Sequence, residues 1–249
     1  MVFEKTRPTP VSIGERRKPE SGGKPGYIRV DSVHQGDLNG KKGVYHINAV
    51  DEVTQWEVVG AVEHISEAWL KPRLEAMMAQ FPFPILGFHT DNGSEYINKS
   101  VAGMLNKLHV EQTKSRPGHS SDNGLAETKN GGVIRNHMGF DHIASAHADS
   151  VNTFFVEHFN PYLNLHRPCG VPELKTDKRG KTKRVYKVYA TPLEILLSLK
   201  EPRLKEGITK EQLEKLAAAQ SDTGAAMKMR EAKMELFADI EELAERRAA

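Results

Sequence analysis

One cysteine, Cys169, stands among the 249 residues. That scarcity excludes an intrachain disulfide and any zinc cluster built on several thiolates, and it suits a reducing, cytoplasmic setting. No run of about 18 uncharged apolar residues occurs, so the sequence offers no transmembrane helix and implies no membrane partner. The opening MVFEKTRPTPVSIGERRKPE lacks an apolar stretch of the kind a secretory signal needs. The eleven histidines show no H-x-x-x-H spacing on one helix. No phosphate-cradling glycine-rich loop of the GxxxxGK[ST] type is present, so no nucleotide energy source is implied. No internal repeat is apparent.

What is present is an ordinary globular composition, 38% hydrophobic and 27% charged, which permits a packed core. The length allows one large domain or a core with appendages. The net charge of +2 conceals an uneven distribution: residues 1–26 carry +3, 27–165 carry −5, 166–205 carry +7 and 206–249 carry −3. An acidic centre between basic segments suits a metal-dependent enzyme acting on a polyanion, although charge runs are equally at home as solvated faces.

Residues 1–26 mix Pro, Gly, Ser and basic side chains without periodicity and read as an arm or linker. YIRVDSV (27–33), GVYHINAVD (43–51) and QWEVVGAV (55–62) read as three consecutive antiparallel strands. SEAWLKPRLEAMMAQF (66–81) reads as a helix capped by Ser66, with Trp69, Leu70, Leu74, Met77 and Met78 at helical spacing and an interruption or kink at Pro72. A strand at 85–90, a helix at 94–108, a strand at 109–115, a helix at 120–139 opened by Ser121 or Asp122, and a helix at 147–166 complete the pattern. Gly131 and Gly132 weaken the helix at 120–139. Past His166 the chain turns basic and irregular through PELKTDKRGKTKRVYK. It then becomes helical, with a capping box at Thr209 and Gln212 and an apolar stripe of Met227, Met234, Phe237 and Ile240. Strands alternating with helices imply a mixed α/β layer.

Three carboxylates stand where chemistry would need them. Asp31 lies inside the first strand, in RVDSV, amid alternating apolar residues, where burial without a cation partner is costly. Asp91 follows directly on a strand, at the carboxyl end where α/β folds place ligands. Glu127 stands one turn into a helix, four residues after Asn123 and on its face. Convergent oxygen donors select a hard cation, Mg²⁺ or Mn²⁺. Two such ions would activate an attacking oxygen and stabilise the leaving oxygen of a phosphodiester displacement. Taken singly, each carboxylate could as easily be a surface or capping group. Asp51 and Glu95 are competitors, read as turn and helix-start residues, and Asp122 as a cap. His89 and His119 could touch DNA or make ordinary polar contacts. The stretch Lys175, Lys178, Arg179, Lys181, Lys183, Arg184 and Lys187, with Tyr186 and Tyr189 beside it, could bind phosphates or form a solvated hairpin.

These blocks resemble the DDE integrase core shared by retroviral integrases and bacterial insertion-sequence transposases. HTDNGSEYIN around Asp91 is similar to that family's T/S-D-N-G-x-E-F/Y block, and RPGHSSDNGLAETKN to its H-S-x-x-N-x-x-x-E block. Asp91 and Glu127 are separated by 35 residues, the family's spacing. VDSVHQG and HINAVDEVTQWEVV resemble its first two strands, and NLHRPCGVP and TPLEIL the endings of many bacterial members.

The resemblance implies a ribonuclease H-like fold with a mixed five-stranded sheet of order 3-2-1-4-5 flanked by helices, and a helical C-terminal extension. It implies a polynucleotidyl transferase that cleaves DNA and transfers strands in transposition or integration, with Asp31, Asp91 and Glu127 holding two Mg²⁺ or Mn²⁺ ions. DNA contacts would come from Asn92, Gly93, His119, Ser120, Asn123, Lys129 and Asn130 beside the triad. The basic stretch would add Lys178, Arg179, Lys181, Lys183 and Arg184. The expected organisation is a basic arm (1–26), a catalytic core (27–166), a basic linker with a small extension (167–205) and a helical segment (206–249). Expected partners are DNA and further copies of the chain; with neither a zinc cluster nor a complete helix-turn-helix before residue 27, the chain could be a truncated reading frame, an excised piece, or a catalytic subunit that works with a separate helix-turn-helix subunit. Two other readings stay open: a ribonuclease H-like nuclease that cuts without joining, and an inactive DNA-binding derivative.

Overall fold

The computed structural model describes residues 13–176, 180 and 182–248. β-branched alternation from Tyr27 onward builds its central sheet. The strands are β1 (Glu15–Arg16), β2 (Tyr27–His34), the small pair β3 (Asp37–Leu38) and β4 (Lys41–Lys42), β5 (Tyr45–Asp51), β6 (Glu57–Val62), β7 (Gly87–Thr90) and β8 (Glu111–Lys114). β2, β5 and β6 form an antiparallel meander. Helices α1 (Glu67–Ala79) and α2 (Lys99–Lys107) then return the chain to add β7 and β8 in parallel.

The sheet order β1-β8-β7-β2-β5-β6 contains the expected 3-2-1-4-5 arrangement, read from β6 inward. It also contains a sixth strand. β1, drawn from the segment read as an unstructured arm, pairs parallel to β8 through Glu15–Thr113 and Arg16–Lys114. Arg17 ties it down with a 2.5 Å ion pair to Glu111, and Lys114 Nζ donates to the Ile13 carbonyl.

Side-chain alternation splits the core into two layers. Ile28, Val30, Ile47, Ala49 and Val58 pack beneath α1 and α2. Val59 and Ala61 pack on the other face beneath α5 (Ala148–Phe154) and its continuation. Gly60 admits α1 closely, since a Cβ there would overlap the Met77 thioether.

Several helices differ from their sequence reading. α1 runs unbroken through Pro72, because the lost hydrogen bond falls on its exposed side, where water can reach the Ala68 carbonyl. Ser66 holds the N-cap position without a side-chain bond. α2 starts at Lys99 rather than Ser94, where Asn98 accepts from Ser100 N and Val101 N at 3.1 and 3.0 Å. The region read as one helix at 120–139 is a 3₁₀ turn (Ser120–Asp122), α3 (Gly124–Lys129), a π turn (Asn130–Arg135) and α4 (Asn136–Met138). α5 likewise continues through two π turns, Phe155–Phe159 and Tyr162–His166.

This long helix seals the sheet edge at β6 with three asparagines. Asn152 brackets Ala61, Asn160 brackets Val59 and Asn164 brackets Glu57, each accepting from the backbone N–H and donating to the carbonyl of the same residue. The carboxamides thus take the place of a neighbouring strand.

Beyond the core, β9 (Cys169–Thr176) and β10 (Thr182–Ala190) form a separate antiparallel hairpin where the sequence reads as irregular. α6 (Pro192–Ser198), α7 (Lys210–Ala218) and α8 (Asp222–Ala248) follow, and the Thr209–Gln212 capping box is present. The buried side of α8 uses Ala225, Met229 and Leu236, with Phe237 and Ile240 at its margin. Met227 and Met234 of the expected stripe are exposed.

Candidate active site

Val30 pairs in register with Thr90, so Asp31 and Asp91 occupy the next step of two neighbouring parallel strands, about 4.8 Å apart in backbone terms. Ile28 and Val30 enter the core beneath α1 and α2, which turns Asp31 to the opposite face. There it lies opposite Asn48 of β5, and α3 crosses both strands. Asn123, at the N-cap position of α3, anchors the crossing by donating to the Val30 carbonyl at 3.1 Å.

Asp31 is held by two neutral donors. Its own strand supplies the Ser32 N–H to Oδ1 at 2.9 Å, and Asn130 Nδ2 donates to Oδ2 at 2.8 Å. Asn130 is itself oriented by Asn48, whose Nδ2 donates to its Oδ1 at 3.1 Å. Burial pushes the Asp31 carboxyl up to about 6, and the negative charges of Asp91, Glu127 and Glu95 push it the same way against the Ser32 N–H. Asp91 Oδ1 accepts from Gly93 N at 2.8 Å, a tight turn fixing the carboxylate just past β7. Glu127 is exposed in the first turn of α3. Asp91 and Glu127 thus both lie close enough to act on the Asp31 carboxyl. Among the described residues, no three His, Cys, Asp or Glu side chains are gathered tightly enough to form a ready ligand set.

Glu95 stands at this face rather than at a helix start, because α2 begins four residues later. Burial raises its carboxyl and the Asp91 charge adds to the rise. Gly93 makes room for it, since a Cβ there would overlap the Glu95 carboxylate. The readable signal was the Glu inside the HTDNGSEYIN block.

The other expected site residues separate into groups. Asn92 is exposed and accepts from Arg16 Nη1 at 3.3 Å, and His119 is exposed. Ser120 lies in the 3₁₀ turn before α3. Asn123 is 1% exposed and Lys129 9%, and Lys129 Nζ pairs at 3.2 Å with Glu57, so both brace the helix from within instead of facing a ligand. His89 is likewise interior, bonded to Thr113 and Ser115, with burial lowering its pKa to about 4. Asp122 does not cap α3. It receives Arg116 Nε and Nη2, each at 2.9 Å, and that pairing drives its carboxyl strongly down. Arg29, buried beside it, donates to the Asp122 carbonyl and pairs with Glu52. Asp51 fills its expected turn role, accepting from Gly26, Val53 and Thr54. Lys183 and Arg184 lie on β10, whereas Lys178, Arg179 and Lys181 lie outside the described residues.

The family profile described as Integrase core domain matches residues 23–120, a span that takes in β2, Asp31, β7 and Asp91 and stops short of Glu127. This segment is similar to an integrase core. The uncharacterized protein y4rM of Sinorhizobium fredii is 28% identical over 145 residues, covering 58% of this chain. The chain spans 41% of the length of that curated relative. Among solved structures, the simian T-cell lymphotropic virus intasome, in complex with the PP2A regulatory subunit B56 gamma, aligns with a TM-score of 0.50 at 16% identity. That alignment covers 80% of this chain and 64% of the other. The HTLV-2 integrase catalytic core domain in complex with magnesium, in its trimeric form, aligns with a TM-score of 0.42 at 17% identity over 64% of this chain and 94% of the other. The mixed sheet and its crossovers are thus the ribonuclease H-like fold of integrase cores. No helix among the described residues is long and apolar enough to cross a membrane.

Proposed function

We propose that this chain is a DDE transposase or integrase that cleaves DNA and transfers strands, with Asp31, Asp91 and Glu127 as its catalytic carboxylates. The observation that carries the reading is the crowding of Asp31. A half-buried carboxyl raised by burial and by three neighbouring carboxylates, on the switch strands of an integrase core, is a site short of positive charge. The donor set is all oxygen, which fits hard divalent cations and not zinc or copper. Asp31 and Asp91 would hold two Mg²⁺ or Mn²⁺ ions and Glu127 would complete one of them. Such ions, when bound, supply Lewis-acid activation of the attacking oxygen and stabilisation of the leaving one.

The chain's own residues set the geometry. Ser32 N–H and Asn130 fix both oxygens of Asp31, and the Gly93 turn fixes Asp91. In strand transfer a DNA 3′-hydroxyl oxygen bonds to the target phosphorus while the target's own 3′ oxygen leaves. The number of phosphodiester bonds is unchanged, which accords with a sequence that carries no nucleotide-binding loop. Asn92, Gly93, His119, Ser120 and the exposed edge of Asn130 would border the DNA. We further propose that the chain works in a reducing cytoplasm as a homo-oligomer on DNA.

The test is a strand-transfer assay with Mg²⁺ and pre-cleaved oligonucleotides carrying the terminal sequences of the DNA segment that encodes the chain. Joined product is expected, and Asp91→Asn should abolish it while sparing DNA binding. Hydrolysis without joining would favour a nuclease; binding with neither reaction in Mg²⁺ or Mn²⁺ would favour an inactive derivative.

A further inference from the structure

The β9–β10 hairpin stands apart from the central sheet and has a ribbon of its own. Its root is fastened to the π turn that continues α3 and to the turn between β5 and β6. Arg167 Nη2 reaches the Gly132 carbonyl at 3.5 Å, Gln55 Nε2 donates to the Gly170 carbonyl at 2.7 Å, and Cys169 lies within the fields of Lys129 and Glu57.

The strand register contains one irregularity, between Tyr186 and Val188. Tyr186 faces Pro172, Val188 faces Val171 and Tyr189 faces Gly170, so Lys187 is an extra residue. Residues three apart on a regular strand point to opposite faces. The bulge cancels that parity, because Pro172 and Gly170 share a face, and both tyrosines land on it. Neither ring is buried there: Tyr186 is 52% exposed and Tyr189 68%. Gly170 lies under the Tyr186 ring, close enough that a Cβ would sit 3.0 Å from Cδ1, which leaves the ring's other side open.

Around this pair the ribbon is cationic. Lys175 and Lys187 are exposed, and Lys175 is the backbone register partner of Lys183. Two-stranded ribbons are marginal in water without a partner. A polyanion with flat rings satisfies both features, whereas a protein surface would have to match a basic surplus of six charges between residues 175 and 187.

We infer that this hairpin is an arm for unpaired DNA, its Tyr186–Tyr189 face stacking on splayed bases while its lysines hold the phosphates. The inference rests on the reading of the chain as a DNA-processing enzyme and gives that reading a DNA conformation: the strand near the reacting carboxylates is unpaired. Stacking on aromatic side chains tolerates any base and needs bases already out of the helix.

The test measures binding of the full chain to labelled oligothymidine and to a duplex of equal length by fluorescence anisotropy. Replacing both tyrosines by Ala should weaken oligothymidine binding at least about tenfold and duplex binding less than about twofold, and the double Phe variant should bind as wild type. Lys175→Gln with Lys183→Gln should weaken both ligands and flatten the salt dependence. Equal losses on both DNAs for the Ala pair, or none, would overturn the stacking face, provided circular dichroism shows the variant folded. Should the wild type bind neither DNA, the functional reading itself falls. If the wild type joins strands while the Ala pair binds oligothymidine normally, only the hairpin assignment falls.

Discussion

Replacing Asp31 by Asn should make the protein more stable at neutral pH and leave it without chemistry. The folded state raises this carboxyl from 3.8 to about 6, so it holds the proton more tightly than the unfolded chain does. Stability associated with the group is therefore greatest in acid, falls as pH rises from about 4, and is fully lost above about 6. A displacement of that size corresponds to about 3 kcal/mol of destabilisation at pH 8, reduced where solvent screens the exposed edge. Asn removes that penalty and keeps the Ser32 contact, but it loses the acceptor for Asn130 Nδ2, which costs about 1 kcal/mol. The net gain of about 1–2 kcal/mol raises Tm by about 4 °C in a chain of this size. At pH 4.5 about 1 kcal/mol of the penalty remains, and the lost hydrogen bond cancels it. Thermal unfolding followed by circular dichroism in chelated buffer at both pH values measures the difference. Adding Mg²⁺ should raise the Tm of the wild type and not that of the variant. An Asn variant less stable than wild type at pH 8, or a gap that persists at pH 4.5, would refute the claim that burial and neighbouring carboxylates hold the Asp31 carboxyl up.

Two further predictions concern the frame of the site. Lys129→Met strands Glu57 in the core without its cation and should cost about 3–5 kcal/mol, seen as a large drop in chemical-denaturation midpoint, whereas adding Glu57→Gln should recover much of it. Asn160→Ala opens the β6 edge at Val59, removing two backbone contacts, and should cost about 2–3 kcal/mol; hydrogen exchange at Val59 should rise and the variant should aggregate at lower temperature.

Strand identity was legible wherever apolar alternation met turn formers, and β2, β5, β6, β7 and β8 lie where the pattern puts them. Their order came through family resemblance. Asp31 and Asp91 could be singled out only together with the blocks around them, because a lone carboxylate in or after a strand is as easily a surface or capping group. Asn130 and Lys129 were harder, since a polar residue next to a catalytic candidate looks like a ligand contact. Only the phase of α3 tells which way each points, and the helix passes into a π turn at Asn130, where a 3.6-residue count loses register. The same slippage hides the edge-sealing asparagines, which read as weak helix formers until β6 is seen beside them. β1 was invisible because two residues carry no period. The hairpin was obscured by its own charge, since Lys and Arg mask alternation.

The adjacent pair Lys129 and Asn130 also shows how the site keeps its negative charge. α3 brings one cation near the carboxylates, then turns it inward to Glu57, and presents the neutral carboxamide of Asn130 to Asp31 instead. A lysine at 130 would do what the native arrangement avoids: its ammonium would pair with Asp31, favour the ionised carboxylate and bring its pKa back toward 3.8 or below. Asn130→Lys should therefore resemble Asp31→Asn in stability, raising Tm at pH 8 by a few degrees. It should differ in charge, for the carboxylate stays ionised but is already occupied. Titrating Mn²⁺ against thermal stability separates the two possibilities. An internal cation competes with a divalent one, so the wild type should gain Tm with Mn²⁺ and Asn130→Lys should gain little. If Asn130→Lys responds to Mn²⁺ as the wild type does, Asp31 is not the group that an added cation relieves.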